Sequence, residues 1–353
     1  MRFIHCADLH LDSKIDSLPS AQAKKRRLEI LASFERLCEY AKNNSVTAVI
    51  LAGDTFDTQK ISSKTLNRFF YAIKSTPCQF LYLSGNHDEN VIKSFPDLPE
   101  NLYFFNDEWT EFKFGNVSIV GANPVSYGFL LDCLTLQENR KNIVVMHGQV
   151  AGYKTNEQAE LISIPKLKNK NIDYLALGHY HSFSQAPIDN RGSYAYSGCL
   201  DGRGFDETGK KGFVLVEETE NGFSTEFIYF SSREFVESQY EINGEFSWWE
   251  QVDAIENSLI SKYSENSLVK LILKGGLKAD YFKDVNGLVE RLNQKFFFAK
   301  VYDKTSLDIN VKDFEFDKSI KGEFVRSVLN SNLSEEEKNS IIICGLNALK
   351  GEI

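Results

Sequence analysis

Asp8 and His10, Asp54, Asn86 and His87, His147, and His179 and His181 are the residues of this chain best suited to chemistry. Each follows an apolar run with the composition of a strand, where that run breaks into glycine or polar residues. Of the six histidines in the chain, five stand at these places. The pairs Asp8/His10 and His179/His181 are spaced by two, which in an extended segment directs both side chains to one side. Imidazole nitrogens with carboxylate and amide oxygens make a mixed donor set. Such a set suits manganese, iron or zinc rather than calcium or a thiolate zinc site. Taken singly, each residue has a bland reading: a strand-end aspartate as a turn or cap, His147 as a core histidine, Asn86 as a turn residue. Those readings do not account for the joint pattern.

Seven donors are too many for one ion. With one carboxylate shared they fill two four-ligand sites, and Asp54, directly after Gly53, is the best candidate for the shared position. Two divalent cations about 3.5–4 Å apart clamp a phosphate, lower the pKa of water and stabilise charge on the phosphoryl oxygens. His87 is the group left over. It is a candidate general acid for the leaving oxygen, because an imidazole titrates near working pH. His5, Asp57 and Asp88 are read as supporting residues behind the ligands. Arg191 and Arg203 lie in loops after His181 and are candidate phosphate contacts.

The elements that position these groups follow from apolar spacing. Strands are predicted over Arg2–Ala7, Val46–Leu51, Gln79–Leu83, Ile143–Met146 and Tyr174–Leu177, each ending at a candidate site. Helices are predicted over Lys24–Lys42 and Lys64–Lys74. Tyr103–Phe105, Thr110–Phe114 and Val117–Val120 read as a meander with a turn at Gly115-Asn116. Ser193–Ser197, Gly212–Glu217 and Thr225–Phe230 read as antiparallel strands. Two packed sheets with helices outside accommodate all of these. Beyond about Ser232 the texture changes to a small α/β unit: helix Phe246–Tyr263, strand Val269–Leu273, helix Lys278–Leu292 and strand Phe296–Tyr302. Helical patterns Lys321–Leu329 and Ser334–Leu349 follow, the second opening with a capping-box pattern. Three regions are therefore expected: 1–235, 236–310 and 311–353.

The 353 residues suit more than one core, with 42% hydrophobic and 25% charged residues, as in a globular protein. No stretch has the length and apolarity of a membrane span, and the first residues run straight into a strand without a cleavable signal. The six cysteines are scattered without CxxC spacing, mostly in apolar runs, and read as buried free thiols of a cytoplasmic protein. A net charge of −9 argues mildly against nucleic acid, although cations at a carboxylate-rich site can bind phosphate themselves.

The blocks Asp8-x-His10, Gly53-Asp54, Gly85-Asn86-His87-Asp88, His147 and Gly178-His179-x-His181 resemble, in order, the motifs of the calcineurin-like metallophosphoesterases. The resemblance implies a four-layer α/β/β/α sandwich of two mixed sheets flanked by helices. It implies one metal on Asp8, His10, Asp54 and His181, another on Asp54, Asn86, His147 and His179, and His87 as the catalytic histidine. The stretches 3–12, Gly53–Asp57 and Tyr196–Gly209, and the small α/β unit, are similar to the DNA repair exonuclease branch of the SbcD and YhaO type. That branch implies manganese-dependent cleavage of DNA, a homodimer, a capping domain over 236–310 and an SbcC-type coiled-coil ATPase partner. The helices in 311–353 are then a candidate docking element. Rival readings are a phosphoesterase for small molecules or proteins, and a non-catalytic protein that only binds DNA.

Overall fold

The apolar runs that end in the candidate ligands form parallel strands in the middle of two sheets, and burial on both faces explains their unbroken apolar character. A computed structural model describes residues 1–57, 61–88, 92–93, 95–124, 127–152, 159–278, 281–307, 314 and 317–349. The chain divides into two compact units, Met1–Phe235 and Val236–Ile353.

The first unit carries β1 (Arg2–Cys6), α1 (Ser20–Asn43), β2 (Ala48–Ala52), α2 (Ser63–Lys74), β3 (Gln79–Leu83), β4 (Leu102–Phe104), β5 (Thr110–Phe114), β6 (Val117–Gly121) and α3 (Tyr127–Cys133). It continues with β7 (Lys141–His147), β8 (Gln149–Val150), β9 (Leu161–Ile162), α4 (Ile164–Leu167), β10 (Tyr174–Gly178), β11 (Ser184–Pro187), β12 (Ser193–Tyr196), β13 (Gly212–Thr219) and β14 (Gly222–Tyr229). One six-stranded sheet has the order β14-β13-β1-β2-β3-β4, the other β11-β12-β10-β7-β6-β5. Both are mixed: the central strands run parallel, and antiparallel pairs stand at both edges of the second sheet and at the β14 edge of the first, whose other edge, β4, is parallel. The inner faces meet in a core that includes Phe3, Ile50, Leu81, Phe105, Ile119, Val145, Ala176 and Val214. On the outer face of the first sheet, Phe34 of α1 stacks on Phe69 of α2 at 4.7 Å between ring centroids. On the outer face of the second, Tyr127, Leu130 and Leu131 of α3 and Leu167 of α4 pack on Val144, Met146 and Leu175. The result is the four-layer α/β/β/α sandwich.

Two pairings differ from the sequence reading. β4 does not continue into a meander; it pairs parallel with β3 in the first sheet, whereas the β5–β6 hairpin belongs to the second. Phe105, just after β4, is buried between the sheets, and the chain crosses there. β12 pairs parallel with β10, and only its other edge, toward β11, is antiparallel. Alternation sets which face a residue takes, not the direction of its neighbour. The short elements α3, α4, β8, β9 and β11 carry too few periods to stand out in the sequence. Cys6, Cys38, Cys78 and Cys199 are buried, whereas Cys133 and Cys344 are exposed, and all six are free.

The second unit contains β15 (Phe235–Glu241, whose first residue belongs to the first unit), α5 (Trp248–Lys262), β16 (Leu268–Lys274), β17 (Gly276–Leu277), α6 (Val285–Asn293), β18 (Phe298–Asp303), β19 (Ser306–Leu307), α7 (Ile320–Leu329) and α8 (Glu335–Ala348). β15, β16 and β18 form a sheet, and its core takes Trp248, Val252, Ile255 and Leu259 from α5 with Leu288 and Leu292 from α6. α6 starts later than predicted because the Asp284 carboxylate accepts from Gly287 N at 2.9 Å and caps it there. Residues 279–280, at the start of the predicted helix, and the 310/311 boundary lie outside the described residues. α7 and α8 pack on each other through Val325, Ile342 and Leu346. Among the described residues no helix is long and apolar enough to cross a membrane.

Candidate metal centre

Every predicted ligand lies just beyond, or at the last residue of, a central parallel strand: Asp8 and His10 after β1, Asp54 after β2, Asn86 after β3, His147 at the end of β7, and His179 and His181 after β10. Carboxyl ends of parallel strands are where open α/β sheets bind ligands. Asp8, His10 and His179 are not in extended segments as the spacing suggested. Their φ angles are 53°, 43° and 99°, and Asp54 stands at 50°. Left-handed backbone costs a non-glycine residue about 1–3 kcal/mol. Continued pairing of the two loops offsets that cost: Asp8 N donates to Gly53 O (3.1 Å), His10 N to Asp54 O (3.0 Å) and Leu11 N to Thr55 O (2.8 Å). Gly53 has φ 92°, and a Cβ there would collide with the His147 ring. A Cβ on Gly85 would collide with the Asp54 carboxylate. These glycines let the ligands approach.

The donors gather in two adjoining groups. Asp8, His10 and His181 offer atoms within 4.8 Å of one another, as do Asp54, His147 and His179. Asp54 adjoins both: its Oδ2 lies 3.2 Å from His147 Nε2 and 4.0 Å from His10 Nε2. Asn86 Oδ1 lies 3.0 Å from His147 Nε2. Burial pulls the His147 imidazole down, but the charge and hydrogen bond of Asp54, the charge of Asp8 and the Ala52 carbonyl together outweigh it and set the group at about 9. Burial pushes Asp54 up, and the charges of His147, His10 and His87 hold it instead well below the usual carboxylate range.

The residues behind the ligands fix which imidazole nitrogen faces the centre. His147 Nδ1 lies 2.9 Å from the Ala52 carbonyl, which can only accept, so Nδ1 carries a proton. His10 Nδ1 meets Asp57 Oδ1 at 3.0 Å, and His181 Nδ1 meets Glu207 Oε1 at 2.9 Å. The buried Asp88 carboxylate ties the β2 and β3 loops together, accepting from Thr55 N (2.9 Å), Phe56 N (3.2 Å), Gly85 N (2.7 Å) and the Tyr82 hydroxyl. His87 is half-buried; its backbone N donates to Asp54 Oδ1 at 3.0 Å and its ring lies 5.1 Å from that of His10.

Arg203 reaches the site, but its guanidinium is bonded to Glu207 and Asp57, the carboxylates behind His181 and His10. Arg191 is not brought to the site. It binds Asp173 and the Arg140 carbonyl, at the starts of β10 and β7, the opposite edge of the sheet from His147 and His179. His5 is buried, its Nε2 donating to the Leu177 carbonyl (3.1 Å) and its Nδ1 accepting from the Tyr174 hydroxyl (2.8 Å). Glu207 and Tyr82 escaped the sequence reading. A signal for Glu207 existed: it follows Arg203 by four residues in a glycine-rich loop otherwise short of reasons for a buried acid.

Asp54 Oδ2 is buried and accepts no well-aligned hydrogen bond. His10 Nε2 and His181 Nε2 face each other at 3.2 Å while both Nδ1 atoms meet carboxylates. A buried carboxylate oxygen with no well-aligned hydrogen bond and two imidazole nitrogens turned on each other are unfavourable alone and favourable around a cation. On both counts the residues fit a pair of divalent ions.

A family profile described as calcineurin-like phosphoesterase matches residues 1–183. The chain is 30% identical over 246 residues to the uncharacterized metallophosphoesterase YhaO of Bacillus subtilis, covering 64% of this chain and 60% of that one. It is 25% identical over 291 residues to the DNA double-strand break repair protein Mre11 of Methanosarcina acetivorans, covering 78% and 46%. It is 40% identical over 91 residues to SbcD of the SbcCD nuclease of Escherichia coli K12, covering 25% and 21%. In each case less than two thirds of the relative is matched. The profile covers more than half of the chain, and on that match this chain belongs to the calcineurin-like phosphoesterase family, whose members bind two divalent metals.

Proposed function

We propose that this chain is a DNA nuclease, hydrolysing phosphodiester bonds with two divalent cations, Mn2+ above others, as a cytoplasmic homodimer with an SbcC-type coiled-coil ATPase. The observation that carries the reading is the convergence of seven donors, Asp54 among them, from five parallel strand ends. The relatives named for double-strand break repair and as part of a nuclease support DNA as the substrate. Residues 236–310 serve as a capping domain and the helices in 311–353 as a docking element.

Asp8, His10, Asp54 and His181 would hold one cation, and Asp54, Asn86, His147 and His179 the other. Bound there, the pair supplies positive charge for a phosphodiester and acidifies water. The chain's own contribution to bond breaking is His87. Its Nδ1 lies 3.4 Å from the Asp57 carbonyl and must be the donor in that contact, so a proton for the departing oxygen comes from Nε2. The backbone bond from His87 N to Asp54 keeps this ring in register with the ligands.

The test is cleavage of end-labelled linear, single-stranded and hairpin DNA in Mn2+, with and without a candidate ATPase, beside a chromogenic phosphodiester. Turnover of DNA at catalytic enzyme concentration is expected. Turnover of the small ester alone would move the reading to a small-molecule phosphoesterase, and DNA binding without turnover to a scaffold role.

A further inference from the structure

The loop after β12 delivers one guanidinium to two carboxylates. Arg203 Nη1 donates to Asp57 Oδ1 at 3.0 Å, while Nε and Nη2 donate to Glu207 Oε1 at 3.0 and 2.8 Å. The same two oxygens face imidazoles: Asp57 Oδ1 meets His10 Nδ1 at 3.0 Å, and Glu207 Oε1 meets His181 Nδ1 at 2.9 Å. Those histidines are the pair whose Nε2 atoms oppose each other at 3.2 Å. Glu207 is buried, and its second oxygen accepts from Arg203 N at 2.6 Å, which closes the loop on itself. The loop is also anchored from behind. Asp201 accepts from buried Arg26, from Ser33 Oγ at 2.6 Å and from Ser232 Oγ at 2.8 Å.

We propose that Arg203, through Glu207 and Asp57, is a positioning residue for the cation held by Asp8, His10, Asp54 and His181. It does not contact substrate; it locks the tautomer and angle of His10 and His181 at once. This rests on the proposed two-cation reading. A planar guanidinium holds its donors in a rigid fork that sets both carboxylates at once, whereas a lysine ammonium is a compact charge on a flexible stem and does not reproduce that geometry. Three charges in this cluster, one positive and two negative, leave a net negative shell behind the histidines that raises their basicity as ligands.

The experiment uses the full chain with Arg203→Met and Arg203→Lys, measuring Mn2+ stoichiometry and affinity by titration calorimetry, and kcat and KM for DNA across Mn2+ concentrations. Wild-type protein should bind two ions. Both variants should lose affinity for one of them by about 10–100-fold, the loss expected when a partner behind a ligand is removed. KM for DNA should stay unchanged, and raising Mn2+ should restore kcat. If Arg203→Met loses the wild-type circular dichroism, Arg203→Lys carries the test alone, because it keeps the charge and lacks the fork. Wild-type Mn2+ affinity with a raised KM for DNA would make Arg203 a substrate contact and overturn this inference while leaving the two-cation reading intact. A wild-type protein that binds no pair of ions overturns both.

Discussion

At the scale of residues, Asp54 adjoins both donor groups through one oxygen, so it cannot be lost from one without the other. Asp54→Ala is expected to bind neither ion and to be inactive. His87→Ala should keep both ions and lose about 10²–10⁴ in kcat, the usual share of a general acid. Metal analysis beside DNA cleavage rates separates the two, and full metal content with near-normal turnover in the Asp54 variant would refute the shared position. His5 gives a pH prediction for stability. Burial lowers its imidazole from 6.5 to about 3, only partly opposed by the Leu177 carbonyl. The unfolded chain therefore takes up this proton first as pH falls, and stability declines from about pH 6.5 toward 3. Between pH 7 and pH 5 the loss from this one group is about 2 kcal/mol. His5→Gln should remove that increment from urea unfolding curves; an unchanged pH dependence would rule out His5 as its source.

At the scale of elements, the central strands supply the candidate ligands and the loops set their angles. The loop after β12 depends on the buried Arg26–Asp201 pair, which joins it to α1. Removing one member of a buried ion pair strands the other charge, at a cost of about 3–5 kcal/mol. Arg26→Met is expected to destabilise the first unit by that amount in denaturant titrations. A loss below about 1 kcal/mol would show that the Ser33 and Ser232 hydroxyls alone satisfy Asp201.

At the scale of the whole molecule, the two units carry separate cores. Among the described residues, the donor groups that could hold a cation all belong to the first. An ion at a hundred times its Kd stabilises the folded form by about 2.7 kcal/mol. Calorimetry is therefore expected to show two transitions, with EDTA lowering the one that belongs to residues 1–235 and leaving the other in place. One transition that ignores the chelator would contradict both the independence of the units and the cation site.

The sequence by itself determined the central strands and the placement of the candidate ligand residues at their ends. The physical reason is local: a strand buried on both faces must be an unbroken apolar run, and the first polar residues after it must stand at the sheet edge. The paired sheets with helices outside followed from the same runs. Pairing direction did not, since β12 and β4 joined neighbours that alternation cannot specify. Nor did the left-handed backbone of Asp8, His10, Asp54 and His179, which loop-to-loop hydrogen bonds hold in place. The partners of Arg203 were likewise decided by tertiary structure. In sequence it is a solitary basic residue in a loop, open to a phosphate. Only folding brings it between Asp57, 146 positions earlier in the chain, and Glu207, four positions later, and pairing with two carboxylates takes up its guanidinium.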